Sequence, residues 1–298
     1  MEAIMSLCIA KSCDNYLKAF VVKALESPAQ DKLPRVRGCV AYSLGEIGDT
    51  NGTRTLVHLL KDENKEVRTS AARALGRLNY RGSTVALIAA LDAEADDNGF
   101  CQLAIVEALG KLEDTRAVPS LVSHLDSTRW DVRRRSAGAL GQIRNKRAVP
   151  SLIEPLDDPN NDVQCSAARS LGDICDIRAL QPLITVLREQ EIPEAAIALG
   201  KLNDPKAIRP LVEIFEKQKR SPALEAAAEA LGNIRHPDVV FQLATVAVKQ
   251  PAGHSSYAAR LVVGKITGVT YRYDAHGFAR WWRGHQNEFI TPEPAQEQ

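Results

Sequence analysis

A leucine–glycine pair recurs along the chain at almost constant intervals. Its copies, the last with valine in place of leucine, are Leu44-Gly45, Leu75-Gly76, Leu109-Gly110, Leu140-Gly141, Leu171-Gly172, Leu199-Gly200, Leu231-Gly232 and Val263-Gly264. Successive glycines lie 31, 34, 31, 31, 28, 32 and 32 residues apart. A period of this length is typical of stacked structural repeats, because one repeat is too small to bury its apolar face alone. The sequence therefore predicts one continuous array rather than a single globular core.

Each repeat contains two segments with helical signals, separated by a short polar turn such as Lys61–Asn64. The first segment, as in Arg116–Leu125, has a proline near its start, where a helix tolerates the missing N–H. The second, as in Val67–Leu78, spaces its apolar residues so that they form one stripe on a helix. Small residues such as Ala72 and Gly76 would let neighbouring helices approach closely. Each repeat is thus predicted to be a helical hairpin.

The segment Asp62–Leu78 closely matches the pattern Asp-x-x-x-x-Val-Arg-x-x-Ala-Ala-x-Ala-Leu-Gly-x-Ile, and Val163–Ile174 matches it with Gln164 in place of arginine. These segments resemble HEAT-like repeats of the phycobilin (PBS) lyase type, and the resemblance covers roughly residues 14 to 270. It implies an all-α, armadillo-type fold: a right-handed α-solenoid of about eight hairpins. It also implies that the consensus arginines Arg68 and Arg133 form Asp–Arg contacts between neighbouring repeats.

Two regions depart from the repeat pattern. The stretch Arg188–Leu199 is short and has Ile192-Pro193 where a Val-Arg pair belongs, which predicts an abbreviated hairpin. At the other departure, the aromatic residues Phe278, Trp281 and Trp282 fall on a helix predicted from about Asp274 to Asn287. We expect a solenoid over residues 1–270, an aromatic capping helix within 271–290 and a disordered tail over 291–298. A terminal repeat must cover an otherwise exposed core; the alternative is a ligand clamp with Arg280 and Arg283.

Composition restricts the classes of partner. Charged residues make up 25% of the chain and the net charge is +1, so there is no global attraction to nucleic acid or to an anionic membrane. No apolar run approaches the length that spans a bilayer, and Met1–Ala10 lacks the basic start of a signal peptide. The six cysteines show no pairing motif, which favours reduced thiols and a cytoplasmic protein. Cys39 and Cys165 are expected to be small buried residues in repeat helices.

Catalytic motifs are not found in the sequence. There is no His-Glu step of the kind that metal-dependent HEAT hydroxylases use, no glycine-rich phosphate loop and no Gly-x-Ser-x-Gly elbow. His254, His276 and His285 gather in the last quarter of the chain, which leaves a metal site there as an alternative. We expect no cofactor, no metal and no catalytic residue, with lyase-type chemistry as the alternative if the protein is an enzyme.

Counting from each glycine separates the buried stripe from an exposed ridge. The positions seven and three residues before the glycine and one after it lie on one side of the second helix, away from the stripe. In HEAT-like superhelices the second helices line the concave surface, so the resemblance implies that this ridge faces a groove. The expected partner-binding residues are Tyr42, Arg73, Arg77, Leu103, Lys111, Arg134, Arg169 and Tyr257.

Three functions remain open at this stage. The leading hypothesis is a noncatalytic protein–protein interaction scaffold or adaptor, whose mainly basic concave face holds an acidic or helical segment of a partner. The second is a phycobilin lyase-like chaperone subunit that binds a bilin, stacked on Tyr257, Tyr271 and Trp281, and an apoprotein. The third is a DNA-binding or DNA-repair protein. The last is disfavoured because acidic residues interrupt the ridge and a duplex requires a surface that is basic along its length. No membrane partner is expected.

Overall fold

The computed structural model describes residues 15–94, 99–217, 220–234, 236–270 and 274–289, and contacts divide the chain into two units, residues 1–170 and 171–298. Within the described residues all regular structure is helical. The α-helices of the first unit are α1 (Asn15–Ala24), α2 (Pro34–Ile47), α3 (Thr53–Leu59), α4 (Lys65–Leu78), α5 (Thr84–Ala93), α6 (Gly99–Leu112), α7 (Val118–Ser123), α8 (Trp130–Ile143) and α9 (Val149–Ile153). Helix α10 (Asn161–Ile174) contains the boundary.

The helices of the second unit follow the same alternation. They are α11 (Leu180–Gln190), α12 (Pro193–Leu202), α13 (Ile208–Glu216), α14 (Pro222–Asn233), α15 (Pro237–Lys249), α16 (His254–Thr267) and α17 (Ala275–His285). Paired in order, α1 to α16 form eight hairpins, and every glycine of the recurring pair lies in the second helix of its hairpin. The all-α solenoid predicted from the period is confirmed.

Local sequence explains where the second helices begin and end. The side chain of Asn64 accepts hydrogen bonds from the N–H groups of Glu66 and Val67, which satisfies the free donors at the start of α4. At the other end, the residue after the helix is left-handed: Gly48 follows α2 with φ +72°, and Arg144 follows α8 with φ +54°. A left-handed residue ends a helix and turns the chain into the next hairpin.

The recurring glycines mark the closest approach of successive second helices. A methyl group on Gly45 would lie 2.9 Å from the Cα atom of Ala74, and one on Gly172 would lie 2.8 Å from the Cα atom of Ala198. In both cases the alanine stands two residues before the next glycine of the series. Because backbone cannot retreat from such a contact, these glycines are packing residues, as the sequence predicted. Gly232 and Gly264 differ, since the nearest neighbour of Gly232 is the end of the flexible Lys265 side chain and that of Gly264 is the carbonyl oxygen of Val269 in the following loop.

A buried or half-buried arginine links each of three hairpins to the next. Arg133 donates to the carbonyl oxygens of Ser127 and Thr128 in its own turn, and its Nε lies 2.7 Å from a carboxylate oxygen of Asp158 in the next turn. Arg37 and Asp62, and Arg68 and Glu94, form the same link at 2.6 and 2.8 Å. The predicted Asp–Arg contact is therefore confirmed for Arg133, whereas Arg68 forms its link between hairpins with a glutamate, Glu94. Where the sequence has Gln164 instead, its amide holds the Asp158 carbonyl of its own turn, 2.8 Å away.

The two regions that depart from the repeat pattern largely have the structure that their sequences predict. Only Glu191 and Ile192 separate α11 from α12, and α12 is 10 residues long where α10 has 14, so this hairpin is abbreviated. Helix α17 buries Phe278 and Trp282, and the Trp282 ring meets Phe241 of α15 edge-on at 5.7 Å between centroids. Residues 290–298, where a tail was predicted, lie outside the described residues.

The burial of two cysteines differs from the expectation. Cys39 and Cys165 are half-buried rather than buried, because Cys165 belongs to the ridge, Cys39 lies next to it, and neither is in the apolar stripe. The buried thiol is that of Cys101, whose pKa is raised to about 11 by burial and by the nearby Glu94 carboxylate. Within the described part of the chain, no helix combines the length and the apolar character that crossing a membrane requires.

Candidate interaction surface

The predicted ridge lies on the solvent-facing side of the second helices. Of the eight expected binding residues, Tyr42, Arg73, Arg77, Lys111 and Arg169 are exposed, and Leu103, Arg134 and Tyr257 are half-buried. Seven of them belong to the first unit, whereas Tyr257 lies on α16 in the second. The ridge residues of the first unit are therefore treated as one surface. Tyr257 belongs to the second unit and is not part of that surface.

Two adjoining cavities form a groove between α4 and α6, which we call the α4–α6 groove. One, of about 130 Å³, is lined by Arg73, Gly76, Arg77, Ala104, Glu107, Ala108 and Lys111. The other, of about 420 Å³, is lined by Lys65, Glu66, Thr69, Ser70, Arg73 and Phe100. Arg73 lines both, and the first cavity brings together three predicted site residues: Arg73, Arg77 and Lys111.

Acidic residues of the same helices neutralise part of this surface. A guanidinium nitrogen of Arg77 lies 2.6 Å from a Glu46 carboxylate oxygen, while the guanidinium also sits 5.1 Å from the centroid of the Tyr42 ring. Lys111 pairs with Glu107 at 2.8 Å, and Arg135 approaches the same carboxylate at 4.0 Å. Glu46 and Glu107 belong to the ridge as well, and their ion pairs reduce its positive charge, in agreement with the acidic interruptions seen in the sequence.

Glu107 is the centre of a cluster of positive charge. Its pKa is lowered mainly because Lys111 donates a hydrogen bond to its carboxylate, and the charges of Lys111, Arg135 and Arg73 lower the pKa further. One carboxylate therefore faces three cations at this point of the ridge. The surplus charge of this cluster is positive.

Two arginines of the ridge differ from the others in their pairing. Among the residues that the structure describes, no carboxylate lies within ion-pair distance of Arg73 or of Arg134, whereas Arg77, Lys111 and Arg135 each have one. The Arg134 guanidinium lies 5.9 Å from the centroid of the Trp130 ring, a cation–π arrangement. Its Nε is buried and has no hydrogen-bond partner there.

The structure adds two aromatic residues that the sequence columns missed. Phe100 is 75% exposed at the start of α6 and lines the α4–α6 groove, and Trp130 is 44% exposed at the start of α8. They stand ten and eleven residues before their glycines, one helical turn beyond the columns that were compared. Counting one turn further back from Gly110 and Gly141 would have found both.

A larger apolar groove lies among the first helices. It has a volume of about 1210 Å³ between α3 and α5, with Val57, Leu60, Val85 and several alanines among its lining residues. None of the expected binding residues lines it. Its walls are mostly small aliphatic side chains, and the charged residues at its end include the Arg68–Glu94 pair that links two hairpins.

The structure describes only some of the residues of the alternative functions. Trp281 is half-buried and stacks on His285, with ring centroids 5.3 Å apart, and Tyr271 lies outside the described residues. His285 itself approaches the Trp281 carbonyl oxygen through Nδ1 at 2.8 Å. Within the described residues, no group of three or more His, Cys, Asp or Glu side chains could hold a metal ion.

Comparison with known families identifies the repeat. The family of HEAT repeats matches residues 19–99, 53–138 and 121–195, so that its matches run without a gap over residues 19–195. This chain belongs to the HEAT-repeat family. The PBS lyase HEAT-like repeat matches residues 194–217, which agrees with the repeat type recognised in the sequence. No protein with a curated description matches the chain.

Solved structures agree with this HEAT-repeat assignment. Importin beta crystallised from polyethylene glycol is 14% identical with a TM-score of 0.62, and the match covers 98% of this chain and 50% of that one. An engineered protein is 20% identical with a TM-score of 0.54, covering 97% and 94% of the two chains. The complex of CpcE and CpcF of phycocyanin lyase from Nostoc sp. PCC7120 is 22% identical over 82% of this chain and 94% of that chain, with a TM-score of 0.48. These likenesses show the fold alone. The TM-score of the CpcE and CpcF complex is too low to support even that.

Proposed function

We propose that this HEAT-repeat protein is a noncatalytic interaction scaffold that binds an acidic segment of a partner protein on the second-helix ridge of its first unit. The observation that carries the proposal is the α4–α6 groove, in which Arg73 lies without a carboxylate partner among the described residues, beside the exposed Phe100. Arginine together with exposed aromatic side chains is the composition typical of the centres of protein interfaces.

The packing of the helices supports the choice of this face. In the first unit the second helices contact one another extensively, whereas the first helices make few mutual contacts. A stack whose elements approach more closely on one side curves toward that side. The ridge therefore lies on the inner side of the curve within this unit, where an extended partner contacts several repeats at once.

The other functions receive less support. Glu46 and Glu107 lie among the ridge cations. These carboxylates would repel the phosphates of a duplex that lay along the ridge. The match of the PBS lyase HEAT-like repeat to residues 194–217 favours keeping bilin binding as a second candidate. Its test is the visible absorbance of the protein mixed with a bilin, since a bound, ordered tetrapyrrole changes its spectrum.

We also propose that the protein acts in the cytoplasm. No disulfide is formed among the described cysteines, so that Cys39, Cys101 and Cys175 carry free thiols. Free thiols are usual where the cell keeps its proteins reduced. This part of the proposal is tested by the localisation of the tagged chain in the source cell.

The binding proposal is tested by quantitative co-purification from the source cell. Tagged wild-type protein is compared with a variant that carries Arg73→Glu, Arg77→Glu and Arg134→Glu. The matched control carries Arg54→Glu, Arg144→Glu and Arg147→Glu, which reverses the same number of exposed charges away from the ridge.

The ridge variant is expected to lose at least one partner that the control retains, with both variants folded as judged by circular dichroism. Retention of every co-purifying partner by the ridge variant would contradict the proposal.

A further inference from the structure

The ridge of the first unit carries two arginines that have no carboxylate partner among the described residues, with an apolar position between them. Arg73 lies on α4 and Arg134 on α8, and α6 between them presents the exposed Phe100 and the half-buried Leu103. The sequence of chemical types across three neighbouring helices is thus cation, apolar surface, cation. This inference rests on the proposed function and names the kind of segment that the ridge binds.

Glu107 restricts what the middle position accepts. It lies on α6 with its charge retained, because Lys111 and the nearby arginines lower its pKa. A partner carboxylate placed over α6 would be repelled by Glu107 and would find Lys111 already paired at 2.8 Å. An apolar side chain against Phe100 and Leu103 avoids this repulsion. The middle of the partner segment is therefore apolar, and the acidic residues lie on either side.

The spacing follows from helix packing. Packed helices lie about 8–10 Å apart, and the contacts of Gly76 with Ala108 and of Gly110 with Ala139 keep α4, α6 and α8 in direct contact. A chain in the polyproline II conformation rises about 3.1 Å per residue and repeats its side-chain direction every three residues. Three residues therefore advance the chain by about one helix, with successive contact residues on the same face.

We infer that the ridge binds an extended peptide segment of the form acidic–x–x–apolar–x–x–acidic, with one carboxylate on Arg73, the apolar side chain over Phe100 and Leu103, and the other carboxylate on Arg134. The two guanidinium groups supply fork-shaped donors suited to carboxylates. The stacking of Arg134 on Trp130 holds the second fork in place.

The probe is a fluorescein-labelled nine-residue peptide with glutamate at positions 2 and 8, leucine at position 5, and serine or glutamine elsewhere. Its affinity for the full chain is measured by fluorescence anisotropy. It is compared with a peptide of the same composition whose glutamates stand at positions 4 and 6, and with one whose glutamates are replaced by glutamine. The wide spacing is expected to bind at least about tenfold more tightly than either, because the compact peptide reaches one arginine at a time.

Variants assign the contacts. Arg73→Gln and Arg134→Gln are each expected to weaken binding about tenfold and to remove the advantage of one glutamate but not of the other. Phe100→Ala is expected to remove the preference for leucine over serine at position 5, and because Phe100 is 75% exposed the variant keeps its fold. Arg147→Gln, on the opposite edge of the hairpins, is the control and leaves affinity unchanged.

Equal affinity for the two glutamate spacings, or no binding of any of the three peptides, would overturn the inference. The scaffold proposal is judged separately by co-purification. It stands if the ridge variant loses a partner and fails if every partner is retained, whatever the peptides do.

Discussion

A methyl group on Gly76 would lie 3.0 Å from the Cα atom of Ala108 on the neighbouring second helix. We expect Gly76→Ala to lower the free energy of unfolding by about 1–3 kcal/mol, because backbone must move to admit the methyl group. Gly38 lies in α2 with nothing within 4 Å of such a methyl group, so Gly38→Ala is the matched control. It is expected to be neutral or to stabilise by up to about 1 kcal/mol through helix propensity. Urea unfolding followed by circular dichroism measures both; equal effects would contradict the packing role.

The arginine link between hairpins predicts a second difference. Arg133→Gln should lower the free energy of unfolding by about 1–3 kcal/mol, because it leaves the shielded Asp158 carboxylate without its charged donor. The control is Arg188→Gln, which breaks a more exposed pair with Glu213 across two hairpins and is expected to cost at most about 1 kcal/mol. A larger loss for the exposed pair would show that burial does not determine the strength of these links.

The same link predicts a dependence on pH. The hydrogen bonds that Arg133 donates hold the pKa of Asp158 below its ordinary value. A carboxyl whose pKa is lower in the folded state stabilises the fold above its unfolded pKa of about 3.9. That contribution is lost as the pH falls through the folded-state pKa. Between about pH 5 and pH 2 the wild type should therefore lose more stability than Arg133→Gln, measured by denaturant unfolding at a series of pH values. Parallel losses would contradict the assignment.

The backbone of Arg144 predicts a stabilising substitution. Its φ of +54° is left-handed, a conformation that costs a residue with a Cβ atom roughly 1–2 kcal/mol relative to glycine. Arg144→Gly should raise the melting temperature, whereas Arg144→Ala removes the same side chain but keeps the Cβ atom and should not. A gain in both variants would point to the loss of charge rather than to the relief of strain.

The last described helix predicts a contrast between adjacent tryptophans. We propose that residues 271–290 cap the array, because Trp282 is 4% exposed and packs against Phe241 of the last hairpin. Trp282→Ala should destabilise the second unit by about 3–5 kcal/mol, the usual cost of deleting a buried aromatic side chain. The half-buried Trp281 should matter much less. Hydrogen exchange of α15 and α16 measures both effects, and equal protection in the two variants would contradict the proposal.

The sequence predicts most of the fold because the repeat shows each contact several times. The distance between Leu75-Gly76 and its copies predicts the length of each hairpin. The recurrence of an arginine at the repeat position of Arg133 indicates the link to Asp158. The site is harder to predict, since it depends on how side chains of different helices meet. The pairing of Arg77 with Glu46, and the exposure of Phe100 at a helix start, follow from the distance between second helices and not from the pattern within one.

The contact between most of the recurring glycines and a small residue of the next hairpin has an evolutionary consequence. The joint depends on a few positions: the glycine, the alanine or serine two residues before the following glycine, and, where it is present, an arginine with its carboxylate in the next turn. A duplicated or exchanged hairpin that keeps those positions brings both halves of the joint with it. Such an array can grow or shorten by whole hairpins at its turns. The length of the partner segment that it recognises would then change by about three residues at a time, if the segment is extended.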